Sequence, residues 1–123
     1  MCPSLGVLSS AGDDANASRM LNNYGFIFLS PNADPFTHRA VIETRGFKTT
    51  LVAVPDPSVA PSVAAALLAE GVQLLELCGA FGPHWTNRVL EATEHRVPVG
   101  AVSYGVESVA ALTALVSTAA TTT

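Results

Sequence analysis

The apolar positions of this chain fall into short unbroken runs, separated by segments that begin near a proline and end near a glycine. "YGFIFLSP" (24–31) is the first run; it stops at a proline and predicts a buried strand. "ADPFTHRAVIETRG" (33–46) opens with Asp34 in an N-cap position and Pro35 at the first helical position, and closes on Gly46, which predicts a short helix. "FKTTLVAVP" (47–55) is β-branched, stops at a proline and predicts the second strand. "APSVAAALLAEG" (60–71) has Pro61 near its start, Val63, Leu67 and Leu68 on one side, and a terminal Gly71, so it predicts a helix. "VQLLELCG" (72–79) predicts the third strand. "GPHWTNRVLEATEH" (82–95) begins Gly-Pro and places Trp85, Val89 and Ala92 on one inward helical face. "VPVGAVSYG" (97–105) and "VESVAALTALVSTA" (106–119) predict the fourth strand and the last helix.

Strands alternating with helices imply a parallel sheet covered on both faces. The near-continuous apolar runs agree with that arrangement. Right-handed crossovers restrict the strand order. The expected fold class is therefore α/β: a single small domain on a four-stranded, mostly parallel sheet of order 2-1-3-4, half of a flavodoxin-like sheet, with helices on both faces. The domain is expected over 23–119. Residues 1–22, rich in Ser, Ala, Gly, Asp and Asn, read as a flexible arm, and 120–123 as a frayed tail.

Composition narrows the class. A chain of 123 residues and 12.7 kDa is one domain able to bury roughly two-thirds of its unfolded surface. Apolar residues make up 49% and charged residues 13%, greasy enough for this size that a homo-oligomer, at least a dimer, is expected. The net charge of −4 with no cluster of Lys or Arg argues against nucleic acid. Cys2 and Cys78 make no disulfide framework. The start "MCPSLGVLSS" lacks a basic n-region, and no run approaches the ~20 apolar residues of a membrane span. The expectation is a cytoplasmic protein without a membrane partner.

In an open parallel sheet, ligands bind beyond the carboxyl ends of the strands, where the winding changes direction. Four segments share that edge in the expected order: 30–34, 54–56, 78–83 and 103–107. Cys78 sits where a strand hands over to a helix, and the amides of Gly79 to Gly82 approach a helix N-terminus that favours negative charge. It also fits the commonest role of a free cysteine, a small buried hydrophobe. Glu76 breaks an apolar run, and alternation puts it on the face of Cys78, roughly 6–7 Å away along the strand. A carboxylate there needs a partner or a protonated state; Arg39, Arg45, Arg88, His38 and His84 are possible cations. Glu76 reads either as a general acid or base, or as a structural pair. His38 and His84 lie near helix starts at the same edge, and Asp34 with His38 is an i, i+4 pair. Asn32, Asp34, Gly79, Phe81, Gly82, His84 and Tyr104 complete the expected substrate-binding set, with Cys78, Glu76 and His38 as the catalytic one.

GxGxxG, GxxxxGK[ST], CxxC and HExxH are all absent, and "SYGVES" lacks the spacing of a nucleophile elbow. Three histidines and two cysteines without metal spacing make no zinc site. A site without cofactor or metal is expected.

The run from Tyr24 to Tyr104 resembles a family of small bacterial proteins of unknown function. Its members share a strand such as "GFIFLSPNADPFTHRAVIET", then "ELCGAFG", then "VPVGAVSYG". The resemblance implies a compact α/β domain and includes Asp34, His38, Arg39, Glu76, Cys78, Gly79, Phe81 and Gly82 among the matched positions. Family members commonly carry a second glycine where this chain has Ala80. The resemblance brings no activity with it.

Two functions are expected. One is a small cofactor-independent enzyme, an isomerase or lyase acting on a small apolar or conjugated substrate, using Cys78 with acid–base help from Glu76 or a histidine; hydrolysis is second within that class. The alternative is a non-catalytic ligand- or partner-binding oligomer in which Cys78 and Glu76 are structural.

Overall fold

Residues 20–122 are described by the structure, a computed structural model. The apolar run at Asn23–Leu29 forms β1, whose two sides meet different surroundings. Gly25 and Ile27 are buried, whereas Tyr24, Phe26 and Phe28 are only half covered. Beside it run β3 (Phe47–Val54), β4 (Leu74–Leu77) and β5 (Val99–Ala101), with the pairs β1–β3, β1–β4 and β4–β5 all parallel. These four stand in the order expected from the sequence.

The sheet has a fifth strand. Residues Arg39–Thr44 form β2, antiparallel to β3 on the sheet's edge, giving the order β2-β3-β1-β4-β5. The helix expected over 33–46 is therefore corrected to a one-turn loop and a hairpin strand. The start signal at Asp34 is locally real: its Oδ1 accepts the Phe36 amide, and its carbonyl accepts the amides of Thr37 and His38. The turn then stops, because "RAVIET" is β-branched and finds a partner strand two residues away. Gly46, at φ +79°, is the left-handed residue of that hairpin turn rather than a helix end.

Helices α1 (Ala60–Ala69) and α2 (Gly82–Ala92) pack on each other. Their Ala60, Ala64, Leu67 and Val89 close one core with Ile27, Val52, Val54, Leu75 and Leu77 of the sheet. Proline near the N-terminus of each helix fits its free first-turn amides. Gly25 lies where α1 approaches β1; a Cβ there would stand 2.9 Å from Leu75 Cδ2.

The opposite face carries Tyr24, Phe26, Phe28, Leu51, Leu74 and Glu76, none fully buried, with Ile42 and Val102 exposed. Helices on both faces were expected; among the described residues none lies on this one. The segment that would have supplied a helix there is β2. The last helix, α3 (Val109–Thr122), follows a 3-10 turn at Val106–Ser108, and among the described residues its main packing is on that turn.

Most of the expected N-terminal arm lies outside the described residues. Its last residues are tied to the sheet: Gln73 Oε1 accepts the amides of Asn22 and Asn23, and Gln73 Nε2 donates to the Met20 carbonyl. Of the expected tail, 120–122 belong to α3.

Candidate functional site

The loop from Ser30 to His38 crosses the carboxyl ends of β1 and β3 and is anchored at both ends to β3. The Ser30 amide donates to the Val54 carbonyl, and the Ala53 amide donates to the His38 carbonyl. Beneath it, on the open face, lies a cavity of about 430 Å³ whose walls include Phe28, Leu51 and Ala40 with Ser30, Asn32 and His38 at its rim. Asn32 takes a left-handed φ of +69°, a conformation that asparagine tolerates better than most side chains.

His38 is held by its own loop. The Asp34 amide donates to His38 Nδ1 at 2.8 Å, and the His38 amide donates to the Asp34 carbonyl at 2.7 Å. Asp34 and His38 thus meet through the main chain rather than as an i, i+4 side-chain pair. With Nδ1 accepting, the neutral ring carries its proton on Nε2, the one ring nitrogen left for a ligand. Arg39 also reaches the cavity wall, but its guanidinium is paired with Glu70 at 2.9 Å.

Glu76 lies across β1 from that cavity, in register with Phe26 and Gly100, and borders a separate hollow formed by Gly100–Val102. Its partner is a phenol rather than one of the cations the sequence offered: Tyr24 Oη donates to Glu76 Oε1 at 2.7 Å. Arg39 pairs with Glu70 and Arg88 with Glu91. Partial burial first, and then the hydrogen bond and negative charge of Glu76, hold the Tyr24 hydroxyl well above the usual phenol range. Tyr24 is the residue sequence reasoning missed. The signal was present, because alternation in "YGFIF" puts Tyr24 on the side of Phe26 and Phe28.

Cys78 borders neither hollow and is half-buried against the core. Its amide donates to the Ile27 carbonyl at 3.1 Å, and its Sγ accepts the Leu29 amide at 3.3 Å. The sulfur thus takes the place of the next carbonyl in the β1–β4 ladder. Beyond it, the Phe81 amide closes back on the Cys78 carbonyl. Tyr104 lies over Gly79, where a Cβ would stand 2.8 Å from the ring. Phe81 is buried in the core under α2, and Gly82 takes φ +68° as the chain enters that helix. His84 is exposed and meets Trp85 edge to face at 4.9 Å.

The expected site residues therefore occupy separate places. Asn32 and His38 line one cavity, with Asp34 bound to the His38 ring beside it; Glu76 stands at another hollow; Cys78, Gly79, Phe81 and Gly82 build the β4–α2 turn with Tyr104 over Gly79, and His84 is on the outside of α2. Among the described residues no three His, Cys, Asp or Glu side chains converge on a metal position. No helix among them is long and apolar enough to cross a membrane.

A small mixed α/β domain, with one sheet face covered and an apolar cavity on the other, is the class these observations define. Residues 22–117 match the model of a family of unknown function, DUF6506, and the chain belongs to that family. No curated protein and no solved structure matches it.

Proposed function

We propose that this domain binds a small, mainly apolar molecule bearing a carbonyl or carboxylate, seated between Phe28, Leu51 and the 30–38 loop. The observation that carries this reading is His38. Its Nδ1 is occupied by the Asp34 amide, so a fixed Nε2 donor stands at the rim of an apolar cavity. Apolar walls with a few placed polar groups are the usual make-up of a small-molecule site. Arg39 contributes its aliphatic stem rather than a free charge, because Glu70 already pairs with it. Cys78 and Glu76 are structural here: one ends the β1–β4 ladder, the other holds Tyr24 across the same two strands.

The test is a screen of small aromatic and conjugated carbonyl compounds and carboxylates, read by amide chemical shifts. Binders should move the resonances of 30–38, Phe28 and Leu51. His38→Ala should weaken a binder at least ~10-fold, about 1.4 kcal/mol, and Cys78→Ser should leave affinity unchanged. Shifts centred on 78–82 would overturn the assignment.

The same geometry favours a second reading, a cofactor-independent isomerase or lyase. A neutral histidine whose Nδ1 accepts a main-chain amide presents a fixed Nε2–H, which can hydrogen-bond a ligand's carbonyl oxygen and stabilise the negative charge that grows there as a conjugated bond shifts. In that reading His38 polarises the carbonyl oxygen, and Cys78 is not the reacting group. Turnover of any screened ligand should be lost in His38→Ala and kept in Cys78→Ser. In a Cys2→Ser background, Cys78 should alkylate much faster once the protein is unfolded.

A further inference from the structure

We propose that helix α3 of a second copy of this chain covers the open face of the sheet, in a reciprocal exchange that pairs two chains about a two-fold axis. Two unsatisfied apolar surfaces stand on the same molecule. One is the face of Phe26, Phe28, Ile42, Leu51 and Leu74, on which no helix lies among the described residues. The other is α3, with Val109, Leu115 and Val116 50%, 68% and 59% exposed.

The two surfaces fit in charge and size. Helix α3, "VAALTALVSTAATT", carries no charged residue. The sheet face carries one acidic group, Glu76, already held by the Tyr24 hydroxyl. Val109, Leu112 and Val116 recur at i, i+3, i+7, the stripe of a helix made to lie on an apolar surface. Fourteen residues at 1.5 Å rise give a helix of about 21 Å, and five strands about 4.8 Å apart give a face about 19 Å wide. Such a helix is about 11 Å across, so it covers roughly 230 Å² of that face, and two reciprocal contacts bury about 900 Å² in all, at the small end of specific interfaces. A two-fold pair meets both needs at once, because each chain gives one helix and receives one.

This pairing stands on the face that no described helix covers and on the exposed apolar side chains of α3, not on the ligand. Where both hold, the partner's α3 roofs the cavity beneath the 30–38 loop, which lies on that face.

The test begins with the mass of the full-length protein in solution by light scattering and sedimentation, without ligand. A dimer is expected. Leu115→Glu with Val116→Lys changes two exposed side chains and should weaken association at least 100-fold with the far-ultraviolet dichroism unchanged. In a dimer mixed from isotope-labelled and unlabelled chains, methyl protons of Leu115 and Val116 should show contacts to the Phe26 and Phe28 rings of the other chain. That second measurement holds even if the double variant folds poorly. A monomer at 100 μM would overturn the proposal, as would a dimer indifferent to the double variant or contacts found only within one chain.

Discussion

On the side of the sheet that faces α1 and α2, Ile27, Val54, Leu75 and Leu77 have no exposed surface and Val52 almost none. On the other side, Phe26, Phe28, Leu51 and Leu74, from the same strands, are only half covered. Apolar character is equal on the two sides, and covering is not. Stability of the single chain therefore resides in the helix-covered side, while the open side carries the cavity, the Tyr24–Glu76 pair and the surface left for a partner. Burial, not residue type, separates structural positions from available ones.

The sharpest way to break this comparison is to truncate one residue from each side. Leu77→Ala should cost about 2–5 kcal/mol in urea unfolding, because it empties a closed core. Phe26→Ala, measured where the chain is dilute, should cost less than ~1.5 kcal/mol, since only part of that ring leaves water on folding. Equal costs would mean the open face is covered within the single chain. Overpacking gives the next contrast. Gly25→Ala pushes a methyl onto Leu75 and Val72 and should destabilise by about 1–3 kcal/mol. Gly100→Ala, on the open side with nothing within 4 Å of the new Cβ, should cost far less.

Tyr24 sharpens the comparison by pH. Its hydroxyl is raised in the folded state above the value of about 10 that an unfolded tyrosine shows. Above that pH the unfolded chain loses a proton that the native chain keeps, so the contribution is full below pH ~10 and is lost as pH climbs toward the folded value. In a Tyr104→Phe background, absorbance near 295 nm should show the remaining tyrosine ionising above the ordinary phenol range. Tyr24→Phe should flatten the alkaline fall in stability and cost about 1 kcal/mol at neutral pH through the lost hydrogen bond. The smallest effect belongs to the covered side. Thr50 is buried, and its hydroxyl finds no partner among the described residues, so Thr50→Val should be neutral or stabilise by up to ~1 kcal/mol in thermal melts.

Much of this fold is legible in the chain. The Pro-initiated segments at 60–71 and 82–95 become α1 and α2 with ends close to their signals, and the four apolar runs become parallel strands in the expected order. The 33–46 segment reads as a helix because Asp34-Pro35 begins a helical turn equally well whether or not a helix follows. What decides is long-range: "RAVIET" pairs with β3, and the dipeptide Arg45-Gly46 between two β-branched runs was the available sign. The site was legible in part. Asn32 and His38 line one cavity, whereas Glu76 and Cys78 satisfy themselves across the ladder, with Tyr24 and the Leu29 amide. Strand alternation gives a side chain's face but not its partner on the neighbouring strand.

The Leu29 amide rests on a sulfur at 3.3 Å where its neighbours in the ladder rest on oxygens. Sulfur is bulkier and a weaker acceptor than a carbonyl, so the β1–β4 ladder ends on its weakest bond. The two strands open like a fork from that point. One tine becomes the loop that carries His38, and the other becomes the Gly79 turn that delivers α2 to the core. A single side chain thus sets where the sheet stops being a scaffold and its two outgoing segments begin to lead separate lives.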